Sequence, residues 1–197
     1  NAVVLAITVL IACAAHLVLT HGIVIMQLML RLSPINFFRG AREAMLVAFS
    51  TSSSAATLPV SMSAAEDNLG VKPVVASTVL PLGATINMDG TALYVGIVSV
   101  FAAQAFGIDL TLTDYLIMAG TTTLVSVGTA AVPSASLFLM AAVMETIGMT
   151  AQQIAVTVGF IFIIDRPLDM LRTSINIAGD LAVSTAVASW EGEFVLS

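Results

Sequence analysis

Apolar residues run along the chain in five long stretches separated by short polar breaks. The first is Ala2 to Leu30, ended by Arg31 and the Ser33-Pro34 pair. The others run from Phe37 to Leu69, Val74 to Phe106, Tyr115 to Ile147 and Ile154 to Ala188. A helix that crosses a bilayer needs about 20 mostly apolar residues, and the first and third stretches reach that length. The second and fourth are broken in the middle. Ser50-Thr51-Ser52-Ser53-Ser54, followed by Pro59, leaves roughly a dozen residues on either side, enough to reach the bilayer midplane and return. Proline lacks an amide hydrogen and ends helices, so Pro59 is expected to mark the break. The fourth stretch repeats this design around Ser126-Val127-Gly128-Thr129 and Pro133.

The pattern predicts a single all-α membrane domain over residues 1–197, built from transmembrane helices and two re-entrant helical hairpins. Its parts are a helix over 1–31, a first hairpin over 34–70, an interrupted helix over 74–106, a second hairpin over 112–148 and an amphipathic helix over 152–189. The two halves share short similarities. Ala55-Ala56-Thr57-Leu58-Pro59 is similar to Ala130-Ala131-Val132-Pro133, and Asn87-x-x-Gly90 to Asn176-x-x-Gly179. Paired interruptions at matching positions are the sequence sign of an inverted repeat with a binding site at its centre.

Composition agrees. Only 9% of residues are charged, against about 25% in soluble domains, and the mean hydropathy is +1.05. Lipid is the simpler solvent for such a chain. The net charge of −6 is scattered, which argues against a nucleic-acid partner. A lone cysteine, Cys13, gives neither a disulfide framework nor a thiolate metal site and reads as a small buried residue. The chain opens at Asn1 inside an apolar run, so it is expected to be the C-terminal part of a longer protein whose N-terminal scaffold helices are absent. With re-entrant hairpins, Arg31, Arg39, Arg42 and Lys72 fall on one side and the opposite loops hold no Lys or Arg. That asymmetry makes the basic side cytoplasmic. Letting all five stretches span would split the same residues three to one.

The polar chemistry concentrates on the fifth stretch. At about 100° per residue, Asp165, Asp169, Arg172, Thr173, Asn176 and Asp180 share an arc of about 100° on one helical face. Met170, Leu171, Ala178 and Leu181 lie opposite, Arg166 lies just beyond the stripe, and Pro167 is expected to bend the helix. Charges at membrane depth are costly and are paired or functional. Internal pairing of Asp169 and Asp165 with Arg172 and Arg166 would leave one acid over and would not explain the broken hairpins. The functional reading uses more of the groups. Arg172 offers a planar fork for a carboxylate, Asp169 can accept an ammonium, and Asp180 with Asn176 supplies hard oxygen ligands. An acidic amino acid, with two carboxylates and one ammonium, fits the stripe.

Asn87-Met88-Asp89-Gly90-Thr91 disfavours a regular helix in the third stretch. Unwound backbone at membrane depth is tolerated only where it is buried in protein or lines a cavity, and its freed carbonyls with Asn87 and Asp89 make oxygen ligands for Na⁺. The run Ser50 to Ser54, at a hairpin tip, would present amides and hydroxyls to an anion. Read as a linker or as packing residues, it needs no ligand. His16 and His21, five positions apart, are off one α-helical face and read as incidental rather than as metal ligands. The ten methionines read as core filler, and Trp190 as an interfacial anchor.

These residues strongly resemble the glutamate transporter family, the dicarboxylate/amino acid:cation symporters. The matching motifs are Ser52 through Pro59, Pro81 through Tyr94 with its asparagine-methionine-aspartate-glycine-threonine core, Gly128 through Pro133, and Asp165 through Asp180. The resemblance covers essentially the whole chain in the family's order. It implies that the stretches are the sixth helix, first hairpin, seventh helix, second hairpin and eighth helix of an elevator-type transport domain. It implies substrate contacts from Ser54, Thr91, Val132, Asp169, Arg172, Thr173 and Asn176. One sodium site would use Gly83, Asn87, Asn176 and Asp180. A second would use Thr85, Ser126, Val127 and Thr129. A third would use Asn87 and Asp89 with partners from an earlier helix. The second hairpin would act as the gate, and the unit would move against a homotrimeric scaffold.

Departures from the family pattern narrow the expectation. Val95 stands where proton- and potassium-coupled animal relatives carry a glutamate. Ser134 and Ser136 lie near the second tip, where relatives often have glycine at the latter position. Arg172 argues against the neutral amino acid exchangers, and Asp169, Thr173 and Asn176 argue against the C4-dicarboxylate branch. The expected function is therefore sodium-coupled symport of L-aspartate or L-glutamate, not catalysis. The alternatives are a proton-coupled or C4-dicarboxylate symporter of the same fold and, more remotely, an intramembrane aspartyl hydrolase. The hydrolase would need two facing carboxylates sharing a proton, whereas these acids lie on one helix beside a cation. Loop-poor hairpins without glycosylation signals point to a bacterial inner membrane.

Overall fold

The computed structural model describes residues 2–195, so Asn1, the first residue of the expected helix over 1–31, lies outside the described residues. Helix α1 (Ala2–His16) runs without a break into a π-helical stretch, π1 (Leu17–Met29). Helices α2 (Pro34–Thr51) and α3 (Ser54–Ser63) follow, and α3 continues into a second π-helical stretch, π2 (Ala64–Asn68). Then come α4 (Pro73–Ile86), α5 (Asp89–Ala105), α6 (Leu112–Gly128), α7 (Ser136–Thr146), α8 (Ala151–Phe162) and α9 (Asp165–Glu191). Among the described residues there is no β-strand, only an isolated bridge between Val71 and Phe194. Two stretches, Ala2–Met29 and Pro73–Ala105, are long and apolar enough to cross a membrane.

Local chemistry explains where the helices start. The Ser33 side chain accepts from the Asn36 amide, and Pro34 takes the first position of α2, where its missing N–H is not needed. Thr111 with Asp114 and Thr150 with Gln153 form capping boxes at α6 and α8. Ser53 caps α3 through the Ala56 amide. Each hairpin tip turns on a left-handed serine: φ is 53° at Ser52 and 57° at Ser134.

Chain order repeats. A hairpin (α2–α3) is followed by a broken helix (α4–α5), and then a hairpin (α6–α7) by a second broken pair (α8–α9). Two expectations need correction here. Pro59 does not break the second stretch; it sits inside α3, and the turn falls at Ser52–Ser53. Pro59 costs α3 one internal bond and crowds the preceding turn, and the helix continues through it. The fifth stretch is not one helix over 152–189. It breaks at Ile163–Ile164, and Pro167 falls in the first turn of α9, where proline is tolerated.

Helix α9 is the axis of the packing. Every residue from Arg172 to Ala182 is buried, as expected of a helix surrounded on all sides. Its Leu168 and Ile175 join one apolar cluster with Leu5, Val9, Tyr94, Val98 and Met140. Its Ile177, Leu181 and Ala182 join a second with Met26, Ala41, Ala48, Ala76 and Leu80. Cys13 is fully buried in the first cluster, as its reading as a core residue requires.

Candidate functional site

Both hairpin tips and the α4–α5 interruption converge on α9. Glycines permit the approach. A Cβ on Gly83 would lie 2.5 Å from Asp180 Oδ1, and one on Gly90 would lie 2.5 Å from the Arg172 carbonyl oxygen. Opposite them, a Cβ on Gly179 would lie 2.9 Å from Asp89 Oδ2. The interruption therefore lies directly against the polar stripe of α9.

Arg172 is the centre of this arrangement. Its guanidinium bonds Asp169 Oδ1 at 2.7 Å and Asp165 Oδ1 at 3.3 Å, and it sits 4.3 Å from the centre of the Tyr94 ring. The second tip reaches the same acids. The Ser134 amide donates to Asp169 Oδ2 at 2.8 Å, and its hydroxyl donates to Asp165 Oδ2 at 2.7 Å. The Tyr94 hydroxyl also donates to Asp165, at 2.9 Å. Pairing within the stripe is thus real for Arg172. Arg166 takes no part: its side chain is exposed, and no ion pair joins it to Asp165 among the described residues. It lies on the first turn of α9, off the stripe.

All seven residues expected to contact substrate line one small cavity: Ser54, Thr91, Val132, Asp169, Arg172, Thr173 and Asn176. Its free volume is about 20 Å³, room for about one water molecule. The tips close it. Ser53 of the first donates its hydroxyl to the Ala131 carbonyl of the second at 2.7 Å. Asn176 fixes Thr91 from α9: its Oδ1 accepts the Thr91 amide at 3.2 Å and its Nδ2 donates to the Thr91 hydroxyl at 3.1 Å.

The expected sodium ligands are gathered unevenly. Gly83, Asn87 and Asp180 meet, with Asn87 Nδ2 donating to Asp180 Oδ1 at 3.0 Å. Asp180 is 2% exposed and accepts only this one bond among the described residues. Asp165, by contrast, accepts from Arg172, Tyr94 and Ser134. A buried carboxylate served by a single amide is poorly compensated, which is the environment a small cation would relieve. Asn176 turns its amide to Thr91 instead. Of Thr85, Ser126, Val127 and Thr129, the Thr129 amide donates to the Ser126 carbonyl at 3.2 Å, and no side-chain hydrogen bond links the four among the described residues. Thr85 is exposed and donates to the Leu82 carbonyl, Ser126 donates to Thr123, and Thr129 donates to Val125.

Asp89 is held by two histidines. Its Oδ2 is 2.8 Å from both His16 Nε2 and His21 Nε2. The expectation that the two histidines are incidental is overturned. In π1 the backbone closes each turn onto a residue five back, as in Leu30 N–H to the Ile25 carbonyl, so positions five apart share a face. Sequence periodicity assumed an α-helix there. Ser53, Ser134 and Tyr94 are further participants that the stripe alone does not reveal.

A buried charge cluster thus lies under two meeting hairpin tips, beside an interrupted helix. Residues 1–190 match the family model of the sodium:dicarboxylate symporter family, and the chain belongs to that family. Its members are integral membrane transporters, not enzymes. Over 173 residues the chain is 42% identical to glt-4 of Caenorhabditis elegans, named for sodium-dependent excitatory amino acid transport; the match covers 86% of this chain and 34% of that protein. A Caenorhabditis elegans excitatory amino acid transporter is 40% identical over 174 residues, 88% of this chain and 34% of its own length. Mouse excitatory amino acid transporter 2 is 43% identical over 150 residues, 76% of this chain and 26% of its own length. The chain thus spans about a third or less of these relatives.

Proposed function

We propose that the chain binds and carries an acidic amino acid, L-aspartate or L-glutamate, coupled to sodium, as the moving unit of an alternating-access symporter. The observation that supports this most is the small cavity that Asp169 and Arg172 line together with residues of both hairpin tips. Asp165 and Asp169 are the counter-ions of Arg172. A substrate carboxylate would take the arginine fork, its ammonium would go to Asp169, and the amides and hydroxyls of Ser54 and Thr91 would meet its remaining oxygens. A cavity of about 20 Å³ admits no amino acid, so the second tip must lift, breaking the Ser134 and Ala131 bonds, before substrate enters.

The single-donor setting of Asp180 supports a cation between Gly83, Asn87 and Asp180, written as cargo rather than as a resident cofactor. Oxygen ligands with little nitrogen suit a hard ion such as Na⁺. In the same reading both hairpins are re-entrant, Thr85, Ser126, Val127 and Thr129 gather into a second cation site only when the tip reseals over cargo, and copies assemble as a homotrimer. The end bearing Arg31, Arg39, Arg42 and Lys72 faces the cytoplasm. A bacterial inner membrane draws no support from the relatives above, which are animal proteins.

Vesicles containing the protein that bears this chain, loaded with unlabelled aspartate and given an inward sodium gradient, test the reading. Labelled L-aspartate uptake that collapses without sodium is expected. Uptake of succinate with indifference to sodium would contradict it.

A further inference from the structure

The two histidines of the first stretch, outside the substrate cavity, form a second polar centre with Asp89. We propose that His16, His21 and Asp89 are a binding site for a transition-metal dication such as Zn²⁺. This rests on the side-chain geometry, and it gives Asp89 a ligand role other than the sodium role that the family resemblance implies. Each residue offers one ligand atom, and the three atoms lie within 4.8 Å of one another. The imidazoles stand edge to face, ring centres 5.0 Å apart, with both Nε2 atoms directed at Asp89 Oδ2.

The donor set selects the metal. Two neutral imidazoles and a carboxylate suit Zn²⁺ and its neighbours, whereas Na⁺, Mg²⁺ and Ca²⁺ favour oxygen ligands. With Zn–N and Zn–O bonds of about 2.0–2.2 Å, tetrahedral ligands stand about 3.3 Å apart. The present 2.8 Å separations from Asp89 therefore need to widen by about half an ångström, the two Nε2 atoms, within 4.8 Å of each other, need to draw together, and each imidazole binds neutral with its proton on Nδ1. His16 and Asp89, whose side chains are 22% and 23% exposed, can give; His21, at 2%, is the fixed anchor. Thr20 Oγ1 lies 3.1 Å from His16 Nδ1 and holds that ring with Nε2 inward. Buried His21 Nδ1 has no hydrogen-bond partner among the described residues, so this ring is oriented entirely through Nε2.

Access is also present. His16 and Asp89 line an open cavity of about 450 Å³ together with Asn87 and Ser126. Three protein ligands leave a fourth position facing this cavity for water. A bound metal would tie π1 to the first residue of α5 and so brace the α4–α5 interruption.

Calorimetric titration of the purified protein with Zn²⁺ alone tests the site. One saturable site per chain is expected, weakened at least tenfold by His16→Gln and by His21→Gln and unchanged by Asp169→Asn in the substrate cavity. Zn²⁺ should raise the thermal midpoint of the wild type but not of His21→Gln. No saturable binding by the wild type, or binding equally tight in both histidine variants, overturns the proposal. If a variant does not fold, Co²⁺ bound to the wild type decides. Intense visible absorption of a low-coordinate ion with nitrogen ligands supports the site, and the weak spectrum of an octahedral oxygen-ligated ion overturns it.

Discussion

At the scale of the residue, the decisive fact is how unequally the buried charges are satisfied. Each acid or arginine at a membrane helix centre costs roughly 3 kcal/mol. Several left unpaired would consume much of a stability of about 5–15 kcal/mol. Asp165, Asp169 and Arg172 therefore appear as one bonded cluster. Arg172→Ala leaves two buried carboxylates without their cation, a loss of about 3–5 kcal/mol, and should lower the thermal midpoint as well as abolish acidic-substrate binding. Arg172→Lys should not restore binding, because an ammonium cannot span Asp165 and Asp169 as the fork does. Asp180 behaves oppositely. With one donor against a buried charge, Asp180→Asn should raise the thermal midpoint in sodium-free buffer while weakening sodium binding at least tenfold by titration. A lower midpoint would show that Asp180 is already compensated.

At the scale of the element, the tips and the interruption shape the site. Ser53 caps α3 and bonds the opposite tip. Ser53→Ala should cost about 1 kcal/mol for the cap and speed amide hydrogen exchange over residues 129–135; unchanged exchange there would show that the tip contact holds nothing. Gly90→Ala puts a Cβ 2.5 Å from the Arg172 carbonyl and 3.0 Å from Asn176 Oδ1 and should push α5 off α9, lowering substrate affinity. Much of this was legible in the sequence. The Ser50–Ser54 run, the Gly128–Pro133 segment and Asn87-Met88-Asp89-Gly90 are each poor helix formers within apolar stretches, and each marks a real break. The break at Ile163–Ile164 was not legible, since two isoleucines raise no local objection to a helix. Nor was π1: apolar composition does not distinguish i→i+4 from i→i+5 closure, so the shared face of His16 and His21 was hidden. The pairing of Arg172 with two acids is consistent with the stripe, but its sharing with Ser134 needed the fold of the tip.

At the scale of the whole molecule, two apolar clusters flank α9 and hold its stripe between the hairpins. That architecture links cation and substrate: whatever fills the space beside Asp180 acts on the same helix that presents Arg172 two turns earlier. Binding linkage then requires each to raise the other's affinity by the same factor. The most direct test is calorimetry of L-aspartate binding to the protein that bears this chain, with and without Na⁺, in the wild type and in Arg172→Ala. The account predicts binding in sodium that weakens by orders of magnitude without it and is lost in the variant. Aspartate binding of equal strength in sodium-free buffer, or retained by Arg172→Ala, would contradict it.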